Sequence, residues 1–395
     1  MLIIHILFFA IQIIVGFHLI FPVILRILGA FKTKPITLQE RRNESDYAII
    51  VTAFEQTSLI PAVVNSILKC NYNNYLIYVV ADKCDISTLS FESEKVILLR
   101  PEKTLGSNIE SHFYAIKNFR RKHEFLTIID SDNLVESEFL NEFNKFFVEG
   151  YVAVQGVRKA KNLDTTYACI DEAGDMYYRY IDRKLLFDAG SSASLAGSGM
   201  AFTTDLYVQC LENNRVVGAG FDKVLQIEIL KKDKRIAFVE RAIVYDEKTS
   251  KSDQLVNQRA RWINTWFKYA HKGLGIFLDG IWSMNFNKVA SGIVFSRPPL
   301  FMLGIIIALS IILDVIFYPN MLFFWVFCIT CFTITFFNSL MYFKAPKAIY
   351  SALASIPSFF YFQILSLFKA KGANSRSVAT IHYHKDIENS KSNKS

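Results

Sequence analysis

Three short stretches carry side chains that could do chemistry together: Asp130-Ser131-Asp132, Phe221-Asp222-Lys223 and Gln258-Arg259-Ala260-Arg261-Trp262. Two carboxylates one residue apart offer hard oxygen ligands for Mg2+ or Mn2+ shared with phosphate oxygens. A carboxylate such as Asp222, opening a helix expected over 223–232, can take the proton of a hydroxyl. Gln258, Arg261 and Trp262 stand at i, i+3 and i+4, so on a helix they share one face, a cationic and aromatic platform for an acceptor and a departing diphosphate. Each stretch also has a plainer reading. Asp-Ser-Asp serves as a turn or cap after a strand, Asp222 as a partner of the helix dipole, and an Arg beside a Trp as a membrane-surface anchor.

The elements that position these groups follow from hydrophobic pattern. Apolar β-rich runs at 47–53, 75–81, 95–99, 125–129 and 151–157 read as buried strands. A helix capped by Ser58 runs through Pro61 to about 69, and others cover 107–122 and 135–149. Alternation of this kind gives a doubly wound, mostly parallel α/β sheet, whose ligands collect beyond the carboxyl ends of the strands. Glu55, Asp82 and Asp130 each follow a strand and so project toward one crevice. Gly197-Ser198-Gly199-Met200 precedes a strand at 201–203 and reads equally as a plain turn or as a place where backbone approaches a ligand. It has no nucleotide-loop context.

Composition places this sheet beside a membrane. Of 395 residues 52% are hydrophobic and 20% charged, with 35 Phe and 18 Tyr, and the apolar excess lies at the two ends. Residues 1–25 are long enough to span, and they lack the basic start and small-residue cleavage site of a signal peptide. Arg26, Lys32, Lys34, Arg41 and Arg42 follow, which puts the central domain in the cytoplasm. The expected organisation is an anchor at 1–28, a catalytic-sized domain at 44–270, an interfacial amphipathic segment at 271–293, a transmembrane block at 294–369 and a basic polar tail at 370–395. Segments 298–318, 321–343 and 348–368 can each cross, yet three crossings would strand the basic tail outside. Pro357 and Gln363 mark the last as the interfacial or re-entrant one. Asp314, about 24 Å of helix beyond Pro298, is expected at the far interface. Cys328 and Cys331 have CxxC spacing inside an apolar run and read as packing residues. A net charge of +8 without a basic, aromatic-interleaved stripe points to anionic lipid and excludes nucleic acid as partner.

Taken in this order, the motifs make the chain resemble the membrane-bound family 2 glycosyltransferases over about 44–265, specifically the processive synthase-like branch that includes cellulose, chitin and hyaluronan synthases. The resemblance implies a GT-A fold and inverting transfer from a nucleoside-diphosphate sugar, a UDP-sugar, to a growing glycan or a lipid acceptor at the plasma membrane. It assigns nucleotide-sugar contacts to Glu55, Asp82 and Asp130, metal ligation to Asp130 and Asp132, the base to Asp222, and acceptor and diphosphate contacts to Gln258, Arg261 and Trp262. Phe221 departs from the pattern, which has an acid before the base. Thr380 and His382 are similar to tails that fold back on the donor site in some relatives, and read equally as an ordinary juxtamembrane tail. A non-processive transferase adding one sugar to a lipid is the alternative, favoured by the few spans; a homo-oligomer would supply more helices for a polymer path. A non-catalytic scaffold retaining the fold is the third reading, prompted by Phe221.

Overall fold

The computed structural model describes residues 2–32, 44–214, 216 and 218–373. They form two compact units, one of 44–168, 192–254 and 372–373, the other of 2–32, 169–191 and 255–371.

The first unit is built on an eight-stranded mixed sheet. Its strands are β1 (Tyr47–Phe54), β2 (Tyr75–Asp82), β3 (Val96–Leu99), β4 (Phe125–Asp130), β5 (Leu134–Val135), β6 (Ala153–Ala160), β7 (Met200–Thr203) and β8 (Ala237–Asp246), in the order β3-β2-β1-β4-β7-β6-β8-β5. The β1/β2, β1/β4, β2/β3 and β6/β8 pairs are parallel, and β7 and β5 run antiparallel to their neighbours. The sheet is the expected α/β one, parallel on its N-terminal side, where unbroken apolar strands are covered on both faces. Helices Ile60–Leu68, Asn108–Lys117 and Phe139–Val148 supply that cover. Phe125 of β4 stacks on Phe147 with ring centroids 4.0 Å apart, and the buried Tyr47 hydroxyl donates to Asn144 at 2.8 Å.

Some boundaries differ from the sequence reading. Ser58 does not cap the first of these helices; Leu59 holds the N-cap position without a side-chain bond, and Ile60 N–H donates to the Thr57 carbonyl instead. The helix expected from 135 starts at Phe139, because Leu134 and Val135 pair with β8.

The second unit is helical. Helix Leu2–Lys32, helix Leu300–Phe317, helix Met321–Tyr342 and the segment Lys347–Lys369 are long and apolar enough to cross a membrane. The last is broken by a tight turn at Leu353–Ser355, just before Pro357. Gly16 lets helix Leu2–Lys32 close on Met321–Tyr342, since a Cβ there would lie 2.2 Å from the Phe324 ring. Cys328 is buried in that contact with Val15, Leu19, Leu303 and Trp325, and is a free thiol. Asp314, in the last turn of its helix, is fully buried between helices, accepting from Gln12 Nε2 at 3.0 Å and Trp325 Nε1 at 2.9 Å. A long helical segment starting at Thr166 passes through a wide turn at Tyr180–Leu185, where Asp182 binds Arg297 through both oxygens at 2.9 Å. Helix Ser252–Trp282 folds back on helix Phe286–Ser296 along a glycine seam. A Cβ at Gly280 would lie 2.5 Å from the Val289 nitrogen, and one at Gly292 2.6 Å from the Phe277 nitrogen.

Candidate active site

The parallel strands end in acids. Glu55 leaves β1 at φ 60° and Lys83 leaves β2 at φ 54°, both in the left-handed region that non-glycine residues seldom occupy. Their side chains pair at 2.7 Å in the open. Asp82, the last residue of β2, is buried and its two oxygens accept the backbone N–H groups of Leu105 and Gly106 at 3.0 and 2.8 Å. Asp82 therefore shapes the 105–106 loop that rims this end of the crevice.

Asp130 closes β4 and rests on the loop flagged as ambiguous in the sequence. Its N–H donates to Ser198 Oγ at 3.1 Å, and Gly199 N–H donates to the Ile128 carbonyl at 2.9 Å. Buried Gln155 ties the same loop down: its amide nitrogen donates to the Ser198 and Gly199 carbonyls at 3.1 Å, and its oxygen accepts from Ala196 N–H at 2.8 Å. Gly199 stands at φ 64°. A Cβ there would lie 2.8 Å from a methyl of Val244.

Around this turn the charge is strongly negative. Burial, followed by the neighbouring charges of Asp132, Asp246 and Asp222, pushes the Asp130 carboxyl up to about 7, while Arg158 pulls it down. Arg158 donates to Asp246 Oδ2 at 2.7 Å and to the Ala196 carbonyl at 2.7 Å; Lys248 lies 3.4 Å from the same Asp246 oxygen. Lys161, itself buried, donates to the Asp132 carbonyl at 2.8 Å, and its N–H meets the Asp246 carbonyl at 2.7 Å. Lys161, just after β6, thus ties down the acidic turn, while Arg158 and Lys248 offset the charge of Asp246. The next residue, Asn133, is fully buried, and among the described residues neither of its amide atoms has a hydrogen-bond partner.

These residues fit a divalent ion. Carboxylates that raise one another's proton affinity are relieved by a cation, and hard oxygen donors suit Mg2+ or Mn2+. Among the described residues no three His, Cys, Asp or Glu side chains cluster as a metal site.

Asp222 stands in the first turn of helix Phe221–Lys231, which begins at Gly220 with φ 105° and no side-chain cap. Asp130 and Asp132 adjoin at the end of β4, and the charge of Asp222 is the smallest of the influences that raise the Asp130 carboxyl. Phe221 is buried in a T-shaped contact with His112, ring centroids 5.1 Å apart.

Gln258, Arg261 and Trp262 lie on helix Ser252–Trp282, in the helical unit from Leu255 on. Trp262 is 43% exposed, and burial lowers the affinity of the Arg261 guanidinium for its proton. Arg259, a spacer in the motif, has a part of its own. Its guanidinium sits 4.2 Å from the Trp262 ring centroid and forms an ion pair with buried Asp171. Thr380 and His382 lie outside the described residues. Sequence reasoning missed Arg158, Lys161, Asp246 and the Asp171–Arg259 pair. Basic residues spaced along β6 were the one visible sign of the first group.

Comparison with known proteins bears on the same region. A family model described as "Glycosyltransferase like family 2" matches residues 45–265. No curated protein matches the chain. Among solved structures, the mannosyltransferase PcManGT from Pyrobaculum calidifontis, in complex with GDP-Man and Mn2+, is similar over 92% of this chain and 98% of its own, with TM-score 0.58 and 13% identity. S. aureus TarS 1-349 in complex with UDP-GlcNAc covers 84% of this chain and 90% of its own, with TM-score 0.43 and 13% identity.

Proposed function

Because the chain belongs to the family 2-like glycosyltransferases, we propose that it is a membrane-bound, metal-dependent, inverting transferase that moves a sugar from a nucleoside diphosphate to a glycan or lipid acceptor. The observation that carries the reading is the Asp130 and Asp132 pair at the end of β4, whose mutual repulsion raises the Asp130 carboxyl, with the charge of Asp222 adding to it. A structural relative that binds GDP-Man and Mn2+ supports a nucleotide sugar and a metal.

Asp130 and Asp132 would hold the divalent ion, which supplies charge neutralisation at the departing diphosphate. Asp222 takes the proton of the acceptor hydroxyl as that oxygen bonds to the anomeric carbon. The bond from that carbon to the diphosphate breaks on the opposite side, and a β-linked product results from an α-linked donor. Lys161 holds the acidic turn through the Asp132 carbonyl, and Arg158 fixes Asp246 and the Ala196 carbonyl of the adjoining loop, so that Asp130 and Asp132 meet the donor already oriented. Glu55 and Asp82 frame the nucleotide end, with a UDP-sugar as the proposed donor. Gln258, Arg261 and Trp262 are assigned to acceptor and diphosphate, with Arg259 and Asp171 bracing the Trp ring.

The proposed organisation keeps the anchor at 1–28, the catalytic domain at 44–270 facing the cytoplasm, the interfacial segment at 271–293, the transmembrane block at 294–369 and the tail at 370–395. Exposed Leu274, Leu278, Ile281 and Trp282 on helix Ser252–Trp282 support an interfacial position at the plasma membrane. Four apolar helices favour addition of one sugar to a lipid over a polymer path within a single chain. Substituting Asp222→Asn tests the assignment. Turnover should fall at least about a hundredfold, while binding of a fluorescent nucleotide stays intact; full turnover would remove Asp222 from the role.

A further inference from the structure

Phe221 occupies a position where the resembled pattern has an acid, and the residue packed against it is a histidine. His112, on helix Asn108–Lys117, is fully buried. Its Nδ1 lies 2.6 Å from Tyr207 Oη, and among the described residues its Nε2 has no hydrogen-bond partner. The imidazole and the Phe221 ring meet in a T-shaped contact, centroids 5.1 Å apart and planes at 68°. If Nδ1–H donated to Tyr207, the Tyr207 proton and the bare Nε2 would both lack partners. If Tyr207 donates to Nδ1, the ring proton sits on Nε2, and a π face is a matching acceptor for it. Burial pushes the His112 imidazolium down to about 3, so the ring is neutral at working pH and suited to an apolar partner.

Position 221 matters because helix Phe221–Lys231 has a glycine at its N-cap and no side-chain cap, so burial of Phe221 fixes the first turn. We propose that His112 is a positioning residue, which acts through an Nε2–H to Phe221 contact to set the first turn carrying Asp222. This rests on Asp222 as the base. The uncharged pair adds no further negative charge next to Asp222.

The test uses the full chain in detergent, with whichever nucleotide sugar gives the fastest diphosphate release. His112→Ala and Phe221→Leu should each lower kcat about tenfold, a barrier change of about 1.4 kcal/mol, with donor KM within about twofold. Their combination should cost no more than either alone. His112→Gln keeps an N–H donor and should recover part of the loss. Phe221→Glu puts a carboxylate against His112, raises its proton affinity and pairs with it. That variant should be active at low pH and lose rate as pH rises through the new His112 pKa, a limb missing from the parent. Three results would overturn the proposal: unchanged kcat in His112→Ala, additive losses in the double variant, or kcat and donor KM worsening together with a lowered melting temperature. Asp222→Asn run alongside separates the two claims. If it keeps full rate, the base assignment fails; if it is inactive while His112→Ala is fully active, only the positioning role fails.

Discussion

Gly199→Ala is the sharpest probe of how the acidic turn is held. The left-handed backbone at φ 64° costs an alanine about 1–2 kcal/mol. Its Cβ would lie 2.8 Å from one Val244 methyl and 3.3 Å from the other. Val244 is fully buried in β8, so the contact is an overpacking of about 1–3 kcal/mol. Together the variant should lose roughly 2–5 kcal/mol of stability in the sheet unit. The loss should reach the chemistry too, because Ser198 Oγ accepts the Asp130 N–H at 3.1 Å and moves with its neighbour. A displacement near 1 Å there should lower turnover about a hundredfold. Thermal unfolding and diphosphate release, measured on the same detergent preparation, read the two effects. In a Val244→Ala background the steric part should vanish and the backbone part remain, giving a coupling of about 1–3 kcal/mol. A Gly199→Ala protein with parental melting and turnover would refute both the local geometry and its link to Asp130.

Other expectations follow from the same contacts. Asp130 holds a proton up to about pH 7 when no metal is bound, whereas an unfolded Asp loses it near 4, so the folded chain binds the extra proton between those values. Metal-free stability should therefore fall as pH rises from about 4 to 7 and level off above. Apparent Mn2+ affinity, read by titration calorimetry, should rise about tenfold from pH 6 to 8; a flat profile would contradict a shared proton. Asp171→Asn removes the ion-pair partner of half-buried Arg259 and should weaken transfer to acceptor far more than hydrolysis of donor, as product analysis would reveal. Equal effects would mean that Trp262 is not braced this way. Asp314→Ala leaves the Gln12 amide and the Trp325 indole unpaired inside the helix packing, and should cost about 1–3 kcal/mol in detergent unfolding, with Asp314→Asn milder. Parity of the three proteins would count against the buried clamp.

The legible parts of the sequence were those in which one physical signal dominates. β1, β2 and β4 are continuous apolar runs ending in Glu55, Asp82 and Asp130, so pattern and site were visible together. β8 was not found, because Glu240 and Arg241 interrupt the apolar residues of a strand whose position is set by pairing with β6 and β5. The helical segment from Thr166 to Asp188 was hidden for a related reason: its buried Asp171, Glu172 and Arg179 are tolerated only through partners far along the chain or several turns away. The burial of Asp314 gave no local sign, because Gln12, more than three hundred positions away in sequence, is what permits it. Lys161 and His112 carry no local signal either, since each acts through a contact that only the folded sheet unit creates.

The central claim is transfer from a nucleotide sugar at the Asp130 and Asp132 turn. The most direct measurement is nucleoside diphosphate release by the purified full chain across a panel of nucleotide sugars, with Mn2+ or Mg2+, with chelator, and with Asp132→Ala. The account predicts release from one donor, abolished by chelator and reduced at least about a hundredfold by the substitution. No release from any donor with membrane lipid supplied as acceptor, or release indifferent to metal and to Asp132, would contradict it.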